Sequence, residues 1–254
     1  MDSAYNSFTN IKDPFSCRAI FLFVCGLFIG SFVNCIAQRI LLSQSWTISK
    51  SRCDHCGHTL GPTDLIPILS YVVQKGRCRY CHEKISIRYP LIELLSGSMF
   101  ILLYYSHSHI DAYLIRNLIL ASVLLGLSLV DMDSFTIPDG FIITGIINWI
   151  VSVFLVSDQK SYIIKGISGA MVIAGSLYLL TFIMNRILHK ESMGGGDIKL
   201  IFMLGLYFGA YYSIWILMIA CLFALVFVLV TQKKMIPFGP FLSLSAIVVK
   251  LLFR

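Results

Sequence analysis

Long apolar runs separated by short polar connections make up most of this chain. Eight can be drawn, at roughly 19–38, 90–105, 114–130, 140–157, 163–185, 198–210, 212–230 and 238–253. Each approaches the ~20 residues that cross a bilayer core, or falls short where neighbouring helices shield it. The pattern predicts an all-α polytopic membrane protein with about eight transmembrane helices. Gly209-Ala210-Tyr211-Tyr212 is a weak break, so the sixth and seventh runs are the pair most open to miscounting. The first run is long and lacks a small-residue cleavage site, which reads as a span and not as a cleaved signal.

One polar stretch interrupts the series. Residues 43–89 hold turn formers at Gly57, Gly61-Pro62 and Gly76, with little apolar periodicity. A piece under ~50 residues buries too little surface to fold unaided and needs a staple. The expected organisation is a polar lead over 1–18, a first transmembrane helix over 19–42, a small module over 43–89 and a membrane-embedded remainder over 90–254.

Composition sharpens this picture. The chain has 254 residues, 57% of them hydrophobic and 13% charged, with a mean hydropathy of +0.81; soluble domains carry about 25% charge. The net charge of +7 is better read as loop charge than as a nucleic-acid surface, so no nucleic-acid partner is expected. Thirteen of the twenty basic residues fall in 39–90, 186–199 and 231–236, against Lys160 and Lys165 in the opposite connections. The positive-inside rule therefore puts the basic side in the cytoplasm and the N-terminus outside.

Two CxxC pairs, Cys53-Asp54-His55-Cys56 and Cys78-Arg79-Tyr80-Cys81, lie in the polar module. Each pair chelates one ion through two thiolates, and two pairs complete the tetrahedral sulfur site that suits zinc. Four such ligands leave no place for water, so the role is structural. Disulfides are the alternative, disfavoured in a cytoplasmic loop. His55, His58 and His82 lie nearby and read as loop residues, while Cys17, Cys25, Cys35 and Cys221 sit in or beside apolar runs as small hydrophobes.

The acids fall at two junctions on the basic side. One is Glu191-Ser192-Met193-Gly194-Gly195-Gly196-Asp197-Ile198-Lys199, the other Asp131-Met132-Asp133-Ser134-Phe135-Thr136-Ile137-Pro138-Asp139. A carboxylate at the edge of hydrocarbon is costly and marks a candidate site. Glycines beside it permit positive φ or the close approach of another chain. Two carboxylates in a partly dry site cannot both ionise comfortably, so one takes a proton from water while the other donates one. Asp131 lies deepest of its group, Asp139 follows Pro138 as an N-cap candidate, and Asp133 is a loop acid or second catalytic candidate. Paired-acid catalysis, an ion relay and plain helix capping all remain compatible with these positions. Lys199 either acts on Asp197 and substrate or snorkels to the interface. Glu93, in the first turns of the second run, caps that helix or contacts a ligand. The turn Pro237-Phe238-Gly239-Pro240-Phe241 breaks the chain before the last run; irregular backbone at that depth needs protein or water around it, which favours a place near the acids.

The motifs in order, Gly30-Ser31-Phe32-Val33-Asn34, the CxxC pairs, Ile66-Pro67-Ile68-Leu69-Ser70, Arg88-Tyr89-Pro90-Leu91-Ile92-Glu93, the Asp131–Asp139 stretch, Gly194–Asp197 and Pro237–Phe241, resemble the type IV prepilin peptidases, which are GxGD aspartic membrane proteases. The resemblance covers about residues 26–245. It implies an endopeptidase of the bacterial inner membrane that removes the leader of prepilin or pseudopilin precursors after a glycine at the cytoplasmic face. It also implies methylation of the new N-terminus with S-adenosylmethionine. The matching positions make Asp131 and Asp197 catalytic, Gly194, Gly195, Gly196 and Lys199 a supporting loop, and Cys53, Cys56, Cys78 and Cys81 the zinc ligands. Gly76 matches a glycine linked to methyl transfer, and Glu93 is a further candidate for that step. The stretch after Asn34 lacks the family's usual proline, and Leu65 stands where asparagine is common. A membrane transporter or a non-catalytic zinc scaffold are the competing classes. Acids near midplane in discontinuous helices would favour the first, and acids far apart with no cavity the second.

Overall fold

The computed structural model describes residues 17–44, 51–107, 110–188, 194–233 and 235–253. It is all-helical, with no strand among these residues beyond two isolated bridges. The longer helices are α1 (Cys17–Leu41), α3 (Arg88–Ser106), α4 (Ala112–Ser134), α5 (Asp139–Val153), α6 (Gln159–Leu188), α7 (Gly195–Thr231) and α8 (Gly239–Leu252); a five-residue α2 (Leu69–Val73) lies in the polar module. Four of them, α1, α4, α6 and α7, are long and apolar enough to cross a membrane, while α5 and α8 are shorter apolar helices.

The expected sixth and seventh runs both fall inside α7. Gly209, at φ 68° and ψ 178°, is non-helical and interrupts that helix. A continuous helix of 37 residues would measure about 55 Å at 1.5 Å per residue, well beyond a ~30 Å hydrocarbon core. Glycine at the break makes the interruption cheap, because positive φ carries no Cβ penalty.

The chain divides into two compact units. The first contains α1 up to Asn34, the module from residue 48 onward and α3. Here α1 and α3 pack through small residues: a Cβ on Gly30 would lie 2.7 Å from the Ser96 Cβ, and one on Gly26 2.7 Å from the Gly97 Cα. Such close approach is how helices associate where lipid supplies no hydrophobic drive.

The second unit runs from Asp111 onward, with residues 35–47. Its centre is α4, with Leu114, Leu124 and Leu127 essentially inaccessible. Leu200, Met203 and Leu204 of α7 and Leu242, Ala246 and Val249 of α8 share that core burial. Helices α6 and α7 press together at Gly205, where a Cβ would meet the Ala170 backbone. Their other faces stay apolar and bare, as at Leu179, Leu229 and Val230. That inside-out pattern is what a hydrocarbon solvent selects.

Candidate active site and metal centre

Asp131 occupies the last turn of α4 and is 4% exposed. Its Oδ2 accepts a hydrogen bond of 2.8 Å from the backbone N–H of Gly239, the first residue of α8. A free N–H at a helix start is an orphan donor, and the positive end of the helix dipole favours a carboxylate there. Glycine is required at 239 because a Cβ would stand 2.8 Å from Asp131 Oδ2 and 3.1 Å from Leu127. The turn at 237–241 thus reaches the acid, as its irregular backbone suggested. Gly239→Ala should therefore lower activity at least tenfold by displacing the carboxylate, read as a fall in kcat with the fold intact by circular dichroism.

Asp197 stands in the first turn of α7, half-buried. It and Asp131 line one cavity of about 370 Å³, and they lie close enough to act on each other electrostatically. Two acids 66 positions apart in the sequence are brought together because α4 ends and α7 begins on the same side of the unit. Phe135, in the left-handed region at φ 56°, ends α4 and turns the chain toward Ile137. Ile137 then touches the glycine run: a Cβ on Gly196 would be 2.9 Å from the Ile137 Cβ, whereas one on Gly195 meets nothing within 4 Å. None of the three glycines has positive φ. Of the two roles open to these glycines, close approach and not left-handed backbone is therefore the reason for Gly196. Gly195→Ala should retain activity within twofold of wild type, while Gly196→Ala should lose more than tenfold in the same activity assay.

Lys199 does not reach Asp197 by any described hydrogen bond; its Nζ pairs with Asp139 Oδ1 at 2.6 Å, both side chains being largely exposed. That pair ties the start of α5 to the start of α7. Asp139 is not a side-chain N-cap: the cap position is Pro138, and no capping bond forms. Surface pairs of this kind are worth less than ~1 kcal/mol. Asp133 is exposed and outside the cavity lining.

In the first unit the four sulfurs of Cys53, Cys56, Cys78 and Cys81 lie within 4.8 Å of one another, with Cys53 and Cys81 3.9 Å apart. Tetrahedral ligation at a Zn–S length of about 2.3 Å needs sulfurs roughly 3.8 Å apart, so the set fits the ion. Both knuckles are built alike. Cys53 N–H donates to His58 O and Cys78 N–H to Glu83 O, and each second cysteine is followed by a residue in left-handed backbone, Gly57 and His82. Hydrogen bonds from the N–H groups of Cys81 and Tyr80 lower the Cys78 thiol to about 7. Asp64 staples the module, receiving Gln74, Tyr80 and the Gly61 N–H. The histidines stay outside the metal-ligating group.

Gly76 has φ +68°, and a Cβ there would sit 3.0 Å from the Tyr71 hydroxyl. Its place is conformational: it turns the chain from α2 into the second knuckle. Glu93 is 8% exposed, and its carboxylate accepts from the Ile68 N–H at 2.7 Å and from Ser31. It therefore anchors the start of α2 and does not cap its own helix, a pairing no sequence spacing reveals. Nearby on α1 and α3, Asn34 Oδ1 and Ser96 Oγ are buried without partners.

Residues 24–107 match the bacterial peptidase A24 N-terminal domain, and residues 118–229 match the type IV leader peptidase family. A prepilin leader peptidase/N-methyltransferase of Myxococcus xanthus is 35% identical over 189 residues, covering 74% of this chain and 55% of that protein. A type 4 prepilin-like proteins leader peptide-processing enzyme of Escherichia coli O78:H11 is 33% identical, covering 88% of this chain and 90% of that one. A prepilin leader peptidase/N-methyltransferase of Neisseria gonorrhoeae is 30% identical with 87% and 86% covered. No solved structure matches.

Proposed function

Because the chain belongs to the type IV leader peptidase family, we propose that it is an aspartic endopeptidase that cleaves the leader from prepilin-like precursors and then methylates the new N-terminus. The observation that carries the peptidase reading is the cavity shared by Asp131 and Asp197. One carboxylate withdraws a proton from water held between them, and the water attacks the scissile carbonyl. The other donates its proton to the carbonyl oxygen, and the leaving amine takes one as the tetrahedral intermediate collapses. The Gly239 N–H fixes the orientation of Asp131, and Ile137 against Gly196 fixes the loop that carries Asp197.

Eight membrane passages, with α7 counted as two across Gly209, put both acids at the cytoplasmic face beside the basic loops of the bacterial inner membrane. Residues 43–89 form the cytoplasmic module, with zinc as its structural ion; the rest from 90 onward carries the peptidase site. The methyl group is supplied by S-adenosylmethionine. Glu93, with Ser31 and the unpartnered oxygens of Asn34 and Ser96, offers an acceptor-rich place for a cationic group and no described cation of its own. Glu93 is the residue expected to hold that charge, and Gly76 the one that shapes the turn beside α2.

The test uses the full chain in detergent with a substrate bearing a short basic leader, a glycine, a phenylalanine and an apolar helix. Mass spectrometry should show cleavage after the glycine, and a product one methyl group heavier when S-adenosylmethionine is present. An intact substrate would overturn the reading.

A further inference from the structure

At the end of α4 remote from Asp131, two cations stand together without a described counter-ion. Arg116 lies in the second turn of α4, about 22 Å along the axis from Asp131 at 1.5 Å per residue. Its guanidinium donates to the Tyr162 hydroxyl at 2.8 Å and to Asn117 Oδ1 at 3.1 and 3.3 Å. The rings of Tyr207 and Tyr113 lie 5.5 and 5.7 Å away. Every one of these partners is neutral, so they orient the charge and leave it uncompensated. Lys250, in the last turn of α8, is close enough to be repelled by it, and no hydrogen bond or ion pair from a described residue engages its ammonium. Asn117 is 3% exposed, and its amide nitrogen has no partner.

The surrounding polar groups are already committed elsewhere. Tyr207 donates to Gly145 O and receives the Asn148 amide, which also donates to Arg116 O; Ser152 pairs with Tyr162. The network holds Arg116 rigidly without supplying an anion. Unpaired charge beside apolar surface is expensive, and a buried N–H donor without an acceptor adds to the cost. A multi-oxygen anion relieves all three. A guanidinium fork, an ammonium point charge and an amide donor are the groups that recognise phosphate.

We propose that Arg116, Lys250 and Asn117 bind a phosphate group, carried by a phospholipid headgroup or present as free phosphate. Exposed Leu252, at the same end of α8 as Lys250, gives acyl chains a surface, and in the topology proposed above this end meets the outer leaflet. The site is independent of the peptidase chemistry. The full chain in detergent is titrated with short-chain phosphatidylglycerol, with inorganic phosphate and with phosphate-free diacylglycerol, following thermal stability. Phosphatidylglycerol should raise the melting temperature, and Lys250→Gln, which removes a charge but no described hydrogen bond, should weaken that binding at least tenfold. Arg116→Gln should abolish it. A rise with lipid alone identifies the headgroup; an equal rise with phosphate identifies the free anion. No rise with either, the same rise with diacylglycerol, or unchanged binding in Lys250→Gln would overturn the proposal.

Discussion

Asp197→Asn and Asp131→Asn should each reduce leader cleavage by about 10³-fold or more, the scale seen when one member of a catalytic unit is removed. Asparagine keeps the shape and the acceptor oxygen but can neither take a proton from water nor return one. Substrate binding, measured by crosslinking or competition, should stay within a few fold, because the isosteric change preserves the shape of the cavity walls. Stability should hold or rise, since a partly buried charge is removed. Asp133→Asn, outside the cavity, should leave the rate within twofold. A variant at 131 or 197 that kept a tenth of the wild-type rate would remove that residue from the chemistry.

The second large effect concerns the sulfur site. Cys56→Ser, or prolonged chelation, should lower bound zinc from about one per chain to near none, because four thiolates within 4.8 Å of one another lose their closed tetrahedral set. The module has little core, so it should loosen as the metal leaves. Methyl transfer should fall at least tenfold while cleavage stays within about threefold, since Glu93 and Ile68 belong to that unit and the two aspartates do not. Metal analysis beside the two activities decides it. Equal loss of both activities would mean the module supports the whole protein, and retained zinc in Cys56→Ser would remove that cysteine from the ligand set.

Much of this arrangement was legible in the residues. CxxC spacing encodes a four-sulfur site because the chelate is local and tetrahedral geometry is fixed. Apolar run lengths give the helices, and the weak break at Gly209 was visible as such. What escaped is the set of contacts made over long sequence distances. Pro237–Phe241 announced irregular backbone, but which acid its N–H would meet depends on how α8 packs against α4. The three glycines looked interchangeable until Ile137 distinguished Gly196 from Gly195. Lys199 could have served Asp197 by proximity in sequence, yet helical geometry points it at Asp139. Arg116 drew no notice inside an apolar run, since its lack of a counter-ion is a property of neighbours on four other helices.

The central claim is that the acids at 131 and 197 form one site, and thiol-specific crosslinking tests it most directly. Asp131→Cys and Asp197→Cys would be combined in a chain whose membrane cysteines, Cys17, Cys25, Cys35 and Cys221, are replaced by alanine, with zinc added in excess to shield the four cysteines of the module. A short bifunctional thiol reagent should link the two positions in the folded chain, read as one crosslinked peptide by mass spectrometry. Failure to link them, while an Asp139→Cys/Lys199→Cys pair in the same background links readily, would contradict the account.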